Sequence, residues 1–168
     1  MNRALPLAAA AAAIAAAMLM HDASAQDGRV ARGKYLATIM DCTGCHTPGA
    51  FSGKPDMARM LAGEGVGFEM PGLGIFYPRN LTPDRETGIG AWSEADIIKA
   101  VRTGVRPDGR ELAPVMPWRS YAALSDADAR ALAAFLKNLK PVKNAVPAPV
   151  GAGEKPRAPY FTVVVPQQ

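Results

Sequence analysis

The chain has 168 residues, with 19 basic and 15 acidic side chains, two cysteines and two histidines. That length fits one domain and leaves little room for a second. Two cysteines cannot build a disulfide-dense scaffold, and a net charge of +4 is too mild for a dedicated nucleic-acid binder.

The hydrophobic share of 49% is concentrated at one end: every position from Ala4 to Met20 except Pro6 is hydrophobic. With Arg3 as the positive flank and Ala23-Ser24-Ala25 as a small-x-small cleavage site, residues 1–25 read as a secretory signal peptide. An uncleaved membrane anchor is the competing reading. The stretch is weakly hydrophobic because of its alanines, begins near Pro6 and is followed at once by His21-Asp22, which favours cleavage. After cleavage no membrane span is expected, and no cysteine near the new terminus offers a lipid attachment point. Arg3 and Asp22 leave together, so the net charge is unchanged. His21 leaves as well, and His46 is then the sole histidine.

In the mature chain, Val30, Ala31, Tyr35, Leu36 and Ile39 recur at helical spacing and predict a helix over Gly28–Met40. It runs into Cys42-Thr43-Gly44-Cys45-His46. Pro48–Ala91, rich in Gly and Pro, reads as a long loop, and a loop of that length in a small domain usually wraps something. A second helix starts at Ser93, with Asp96 at capping-box spacing, and ends at Gly104. Pro114-Val115-Met116-Pro117 cannot be helical throughout. A third helix begins at Ser125, shows an apolar face of Leu132, Phe135, Leu136 and Leu139, and stops at Pro141. No strand alternation is evident. Residues 26–142 are therefore expected to form an all-α domain with long loops. Residues 143–168 read as a proline-rich tail, extended and poorly ordered. The helical content is thin for a core, and a buried cofactor would supply the missing apolar mass.

Cys42-x-x-Cys45-His46 is the attachment signature of a c-type haem. Two thiols three positions apart reach the two vinyl groups of one porphyrin, and the adjacent imidazole falls under the iron, its second nitrogen free to donate to a backbone carbonyl. Zinc would need four ligands where the mature chain offers three, a thioredoxin-like pair would need a βαβ setting, and a Cys42–Cys45 disulfide would stabilise little. One covalent haem c is expected, on Cys42 and Cys45, with His46 as proximal ligand. For the sixth position no second histidine remains, and Met40, Met57, Met60, Met70 and Met116 are the methionine choices. Met116, between two helices and flanked by Pro114 and Pro117, is the expected distal ligand. Met40 lies too close to the attachment site, and Met70 falls in the Gly-rich stretch. Tyr77, Arg79, Asn80 and Trp92 are side chains that could reach haem propionates or simply pack the loop. Arg102, Arg106, Arg110 and Arg119 flank the Met116 segment and would steer an acidic partner if they ring the haem edge.

From Gly33 to Val142 the sequence resembles class I c-type cytochromes, in particular the monohaem modules that accompany bacterial periplasmic alcohol, aldehyde and related dehydrogenases. The matching segments are Gly33-Lys34-Tyr35-Leu36, Asn80-Leu81-Thr82-Pro83-Asp84, Glu86 to Ser93, Arg106-Pro107-Asp108-Gly109-Arg110 and Pro114 to Pro117. The resemblance also places the axial methionine at Met116. It implies a periplasmic electron carrier, not itself an enzyme, with a periplasmic dehydrogenase as donor and a cytochrome or terminal oxidase as acceptor. It could equally be the cytochrome subunit of a dehydrogenase complex. Many relatives carry three such modules, whereas one CxxCH occurs here. The main rival is a haem enzyme or gas-binding protein with an open sixth position. A second rival is a haem-free thiol-redox or interaction protein.

Overall fold

A helix over residues 24–39, α1, opens the described part of the chain. The structure, a computed structural model, describes residues 24–166. All but the last two positions of the expected signal peptide lie outside the described residues. α1 presents Gly33, Leu36 and Ala37 inward. A Cβ at Gly33 would stand 2.0 Å from the carbonyl oxygen of Ala131, so this crossing requires glycine. Asp41, in the left-handed region at φ 54°, turns the chain into α2, Cys42–His46.

Single 3₁₀ turns at Ala50–Ser52 and Met57–Arg59 lead to a hairpin of β1, Gly67–Met70, and β2, Gly74–Phe76. Phe68 opposes Phe76 in antiparallel register. Met70-Pro71-Gly72-Leu73 makes the turn: Gly72 has φ 76°, and the Leu73 N–H donates to the Met70 carbonyl at 2.9 Å. Proline second and a positive-φ glycine third is the signature of a type II turn.

α3, Glu94–Thr103, starts on the expected capping box. Asp96 N–H donates to Ser93 Oγ at 3.1 Å, and Ser93 N–H donates to the Asp96 carboxylate at 2.9 Å. Gly104 closes it at φ 73° against the indole of Trp118. The short α4, Trp118–Tyr121, follows Pro117 directly. α5, Asp126–Lys137, is capped by Ser125 and ends at Asn138. α3 packs on α4 and α5. The core gathers Ala37, Cys42, Leu61, Ile97, Leu132 and Phe135, so it joins α1, α2, α3 and α5 around the attachment segment.

The expectation of an all-α fold needs one correction. Five helices dominate the described residues, but β1, β2 and a two-residue strand β3, Tyr160–Phe161, form a small three-stranded sheet in the order β2-β1-β3, with β3 parallel to β1. Strands this short leave no alternation to read in the sequence. The expectation of poor order also fails for the tail up to Phe161. It lies extended across the loop face and is fastened at successive points. Val142 N–H donates to Thr82 Oγ1, Asn144 Nδ2 to the Ala62 carbonyl at 2.9 Å, and Tyr77 Oη to the Ala158 carbonyl at 3.2 Å. Val150 bridges Ile75, and Phe161 completes an aromatic trio with Phe51 and Phe68, with centroids 5.1 to 5.6 Å apart.

Candidate functional site

The turn of α2 places Cys42 and Cys45 three positions apart, hence on one side of the helix. Both thiols are free; Cys42 is buried and Cys45 half-buried. Burial pushes the Cys42 thiol up to about 11, and burial with the charge of Asp41 raises Cys45 as well. Such thiols stay protonated at neutral pH, the opposite of the depressed thiolates that drive dithiol exchange. This argues against the thiol-redox rival.

His46 closes α2 and is 9% exposed. Its Nδ1 lies 2.7 Å from the Arg79 carbonyl oxygen, a contact in which Nδ1–H donates and Nε2 is left unprotonated. Burial holds the imidazole below its ordinary range, with the Arg79 carbonyl pulling weakly the other way. A neutral ring with one nitrogen tied back and the other open is what an iron ligand requires. The backbone around it is pinned. Gly63 N–H donates to the His46 carbonyl at 2.7 Å, and Leu61 N–H to the buried Thr47 hydroxyl at 3.1 Å. Leu61 itself sits at φ 62°, a conformation that non-glycine residues hold only where the surroundings force it.

Met116 lies half-buried in a tight turn before α4. Its N–H donates to the Ala113 carbonyl at 2.9 Å, and its own carbonyl accepts from Trp118 N–H at 2.8 Å. α4 ties that turn to the attachment segment. Tyr121 Oη donates to the Met40 carbonyl at 2.8 Å, and burial together with the nearby Cys42 and Cys45 raises its hydroxyl to about 12. Of the other methionines, Met57 is 58% exposed, Met40 and Met60 pack against the core, and Met70 ends β1.

Across residues 30–140 the sequence matches the family Cytochrome c, a span that includes Cys42, Cys45, His46 and Met116. The chain belongs to the cytochrome c family. It is 42% identical over 123 residues, 73% of this chain, to the cytochrome c subunit of a quinone alcohol dehydrogenase from Gluconobacter oxydans. It is 44% identical over 125 residues, 74% of this chain, to a gluconate 2-dehydrogenase cytochrome c subunit from Pantoea cypripedii. A "Diheme cytochrome c-type" protein of Cereibacter sphaeroides is 33% identical over 114 residues, 68% of this chain and 37% of its own length. This cytochrome c chain spans about a quarter of the length of the first two curated relatives, 24% and 26%. The resemblance read from the motifs to cytochromes of dehydrogenase complexes therefore holds.

Membership of the cytochrome c family implies covalently bound haem. The residues present fit it: two free thiols on one helical turn, an imidazole with Nε2 open beside them, and an apolar cluster that includes Cys42. Among the described residues no three His, Cys, Asp or Glu side chains converge on a point where they alone could hold a metal. No described helix is long and apolar enough to cross a membrane.

Two of the side chains weighed for the propionates are spent elsewhere. Asn80 bonds Thr82, Thr87 and the Val142 carbonyl, and Tyr77 bonds the tail. The basic rim is partly neutralised too: Arg102 pairs with Asp126 at 2.6 Å, Arg110 with Asp108 at 2.7 Å, and Arg119 lies over its neighbour Trp118. Arg79 contributes through its carbonyl, a role no side-chain pattern discloses. Arg106 keeps its Nε buried without a partner, alone in this among the described side chains.

Proposed function

We propose that this cytochrome c is a single-haem electron carrier, covalently loaded through Cys42 and Cys45, with His46 and Met116 as axial ligands. The observation that carries the reading is the His46 Nδ1 to Arg79 carbonyl contact at 2.7 Å, which sets the tautomer and leaves Nε2 as the unprotonated nitrogen. A bound haem supplies one-electron chemistry at the iron, at a potential raised by thioether ligation. The chain's own part is to hold the imidazole neutral and fixed and to keep the Met116 turn from moving. The two hydrogen bonds at Met116 and the Tyr121 tether to Met40 do the latter. Ligands that stay in place through oxidation and reduction keep reorganisation small.

A signal peptide over residues 1–25 delivers the chain to the periplasm in this reading, where haem attachment and electron exchange both occur. Relatives named as cytochrome subunits of alcohol and gluconate dehydrogenases support a dehydrogenase as donor; in this reading that donor is periplasmic and the acceptor is a cytochrome or terminal oxidase. One CxxCH motif in the sequence supports one haem, although one relative is named as dihaem.

The test is an absorption spectrum of periplasmically matured protein, oxidised and reduced. Covalent haem c should appear together with the weak far-red band of sulfur bound to ferric iron, and that band should vanish in Met116→Ala. Covalent haem without the band, and tight binding of carbon monoxide by the reduced wild type, would instead establish an open sixth position and the enzyme or gas-binding alternative.

A further inference from the structure

His46 is held by two backbone contacts, its Nδ1 on the Arg79 carbonyl and its own carbonyl on the Gly63 N–H, each at 2.7 Å. The two segments that supply them also bond each other. Leu81 N–H donates to the Leu61 carbonyl at 2.8 Å, and Glu64 N–H to the Pro78 carbonyl at 3.0 Å. Neither segment is helix or strand, so its position depends on what lies over it. The start of the tail lies over both. Val142, Asn144 and Val146 are half-buried while Lys143 and Ala145 between them are exposed, the alternation of an extended chain laid on a surface. Asn144 Nδ2 donates to the Ala62 carbonyl at 2.9 Å, directly before Gly63. Val146 covers Gly63 itself: a Cβ on that glycine would stand 2.6 Å from the valine Cγ1. On the other segment, Arg79 Nη1 donates to the Pro147 carbonyl at 3.2 Å and Asn80 Nδ2 to the Val142 carbonyl at 2.7 Å. Both backbone contacts of His46 are thus fastened, through their immediate surroundings, to residues 142–147.

We propose that residues 142–147 are a proximal clamp, with Asn144 as its positioning residue, and that the clamp sets the strength of the His46 hydrogen bond and through it the reduction potential. The proposal rests on the haem reading above. An imidazole that donates firmly from Nδ1 is the more basic ligand at Nε2, and a more basic ligand favours ferric iron. A carbonyl free to drift gives up part of that bond, because a hydrogen bond weakens steeply as its distance and angle depart from the optimum. The clamp therefore holds the potential below the value that the same two axial ligands would give beside a loose Arg79. The Asn144 amide is neutral, so its effect runs through position and not through charge. The far end of the tail provides the contrast, since Phe161 is held by a different set of residues, Phe51 and Phe68.

The experiment compares holoprotein matured in the periplasm for wild type, Asn144→Ala, Arg79→Lys and Phe161→Ala. The proton resonance of His46 Nδ1–H in the reduced protein and the reduction potential are measured on each. Asn144→Ala should retain covalent haem, move the resonance upfield as the bond weakens, and raise the potential. Arg79→Lys keeps the positive charge on a stem one bond shorter, which falls short of the Pro147 carbonyl, and should move both readouts in the same directions. Phe161→Ala, which loosens the far end of the tail, should leave both at their wild-type values. A resonance or a potential that stays in place in both Asn144→Ala and Arg79→Lys, even with a lowered melting temperature, would overturn the clamp and leave the tail as packing alone. Equal shifts in Phe161→Ala would overturn it too, by removing the special part of residues 142–147. Should Asn144→Ala fail to accumulate, Arg79→Lys decides alone on the same two readouts. Wild type without covalent haem would overturn the haem reading itself, which differs from a loaded wild type whose variants are silent.

Discussion

Asn80 is among the largest side chains fully enclosed by the fold, and both ends of its amide are engaged. Nδ2 donates to Thr87 Oγ1 at 3.0 Å and to the Val142 carbonyl at 2.7 Å, while Oδ1 accepts from the backbone and hydroxyl of Thr82 at 2.9 and 2.8 Å. It therefore knots the loop before α3 to the start of the tail. Asn80→Ala should lower stability by about 3 kcal/mol, since it leaves buried partners unpaired and opens a small void. Chemical denaturation of the loaded protein measures it, and a loss below about 0.5 kcal/mol would show that water or a neighbour replaces the amide. At this scale the sequence discloses what is local. Ser93 and Asp96, Ser125 and Asp128, and Cys42 to His46 are legible because each pattern closes within a few residues. Asn80 reads as a possible propionate partner because its real partner, Val142, is 62 positions away. The Arg79 carbonyl is invisible for a different reason, since every residue has one.

The elements divide along the same line. α3 and α5 start at the expected caps, because N-cap chemistry is decided by side chain and backbone three residues apart. The hairpin is missed although Pro71-Gly72 is a turn signal, because its arms of four and three residues are too short for a periodicity. β3 is illegible in principle. Two residues gain strand geometry only by lying beside β1, and they are held there by Phe161 against Phe51 and Phe68. Phe161→Ala removes two aromatic contacts of about 0.5–1.5 kcal/mol each. Amides of β3 and of its partner residues in β1 should then exchange with solvent roughly tenfold faster, a factor equivalent to about 1.4 kcal/mol, while those of α3 and α5 stay unchanged. Uniform acceleration throughout the molecule would mean that the tail is integral to the core and not a strap across its loop face.

For the molecule as a whole, the acidic side chains predict its behaviour in acid. Asp56, Asp84, Asp96, Asp108 and Asp128 all sit below the ordinary carboxylate range, held there foremost by hydrogen bonds from Arg59, Thr87, Ser93, Arg110 and Arg32 respectively. Their folded values lie below the unfolded value of about 3.9, so the stability they contribute is complete above that pH and is lost as pH falls through the folded values. Melting temperature followed from pH 7 to pH 2 should drop with the steepest slope below about pH 4, and Asp96→Asn with Asp128→Asn should flatten that slope. A slope unchanged in the double variant would place the acid sensitivity elsewhere. The all-α expectation fails at the small sheet; α1, α3 and α5 were legible because their amphipathic segments carry a period of their own, whereas the four residues of α4 are too few to show one. Gly33 of α1, against Ala131 of α5, has a consequence for how the fold comes into being. α3 has 10 residues and α5 has 12, lengths at which an isolated helix in water scarcely persists. α3 finds its packing on α4 and α5, close by in the chain, whereas the Gly33 crossing joins α5 to a helix nearly a hundred positions earlier. Loop-closure entropy therefore weighs more on the docking of α1 than on the pairing of α3 with α5, and a side chain at position 33 would tax the costlier of the two steps.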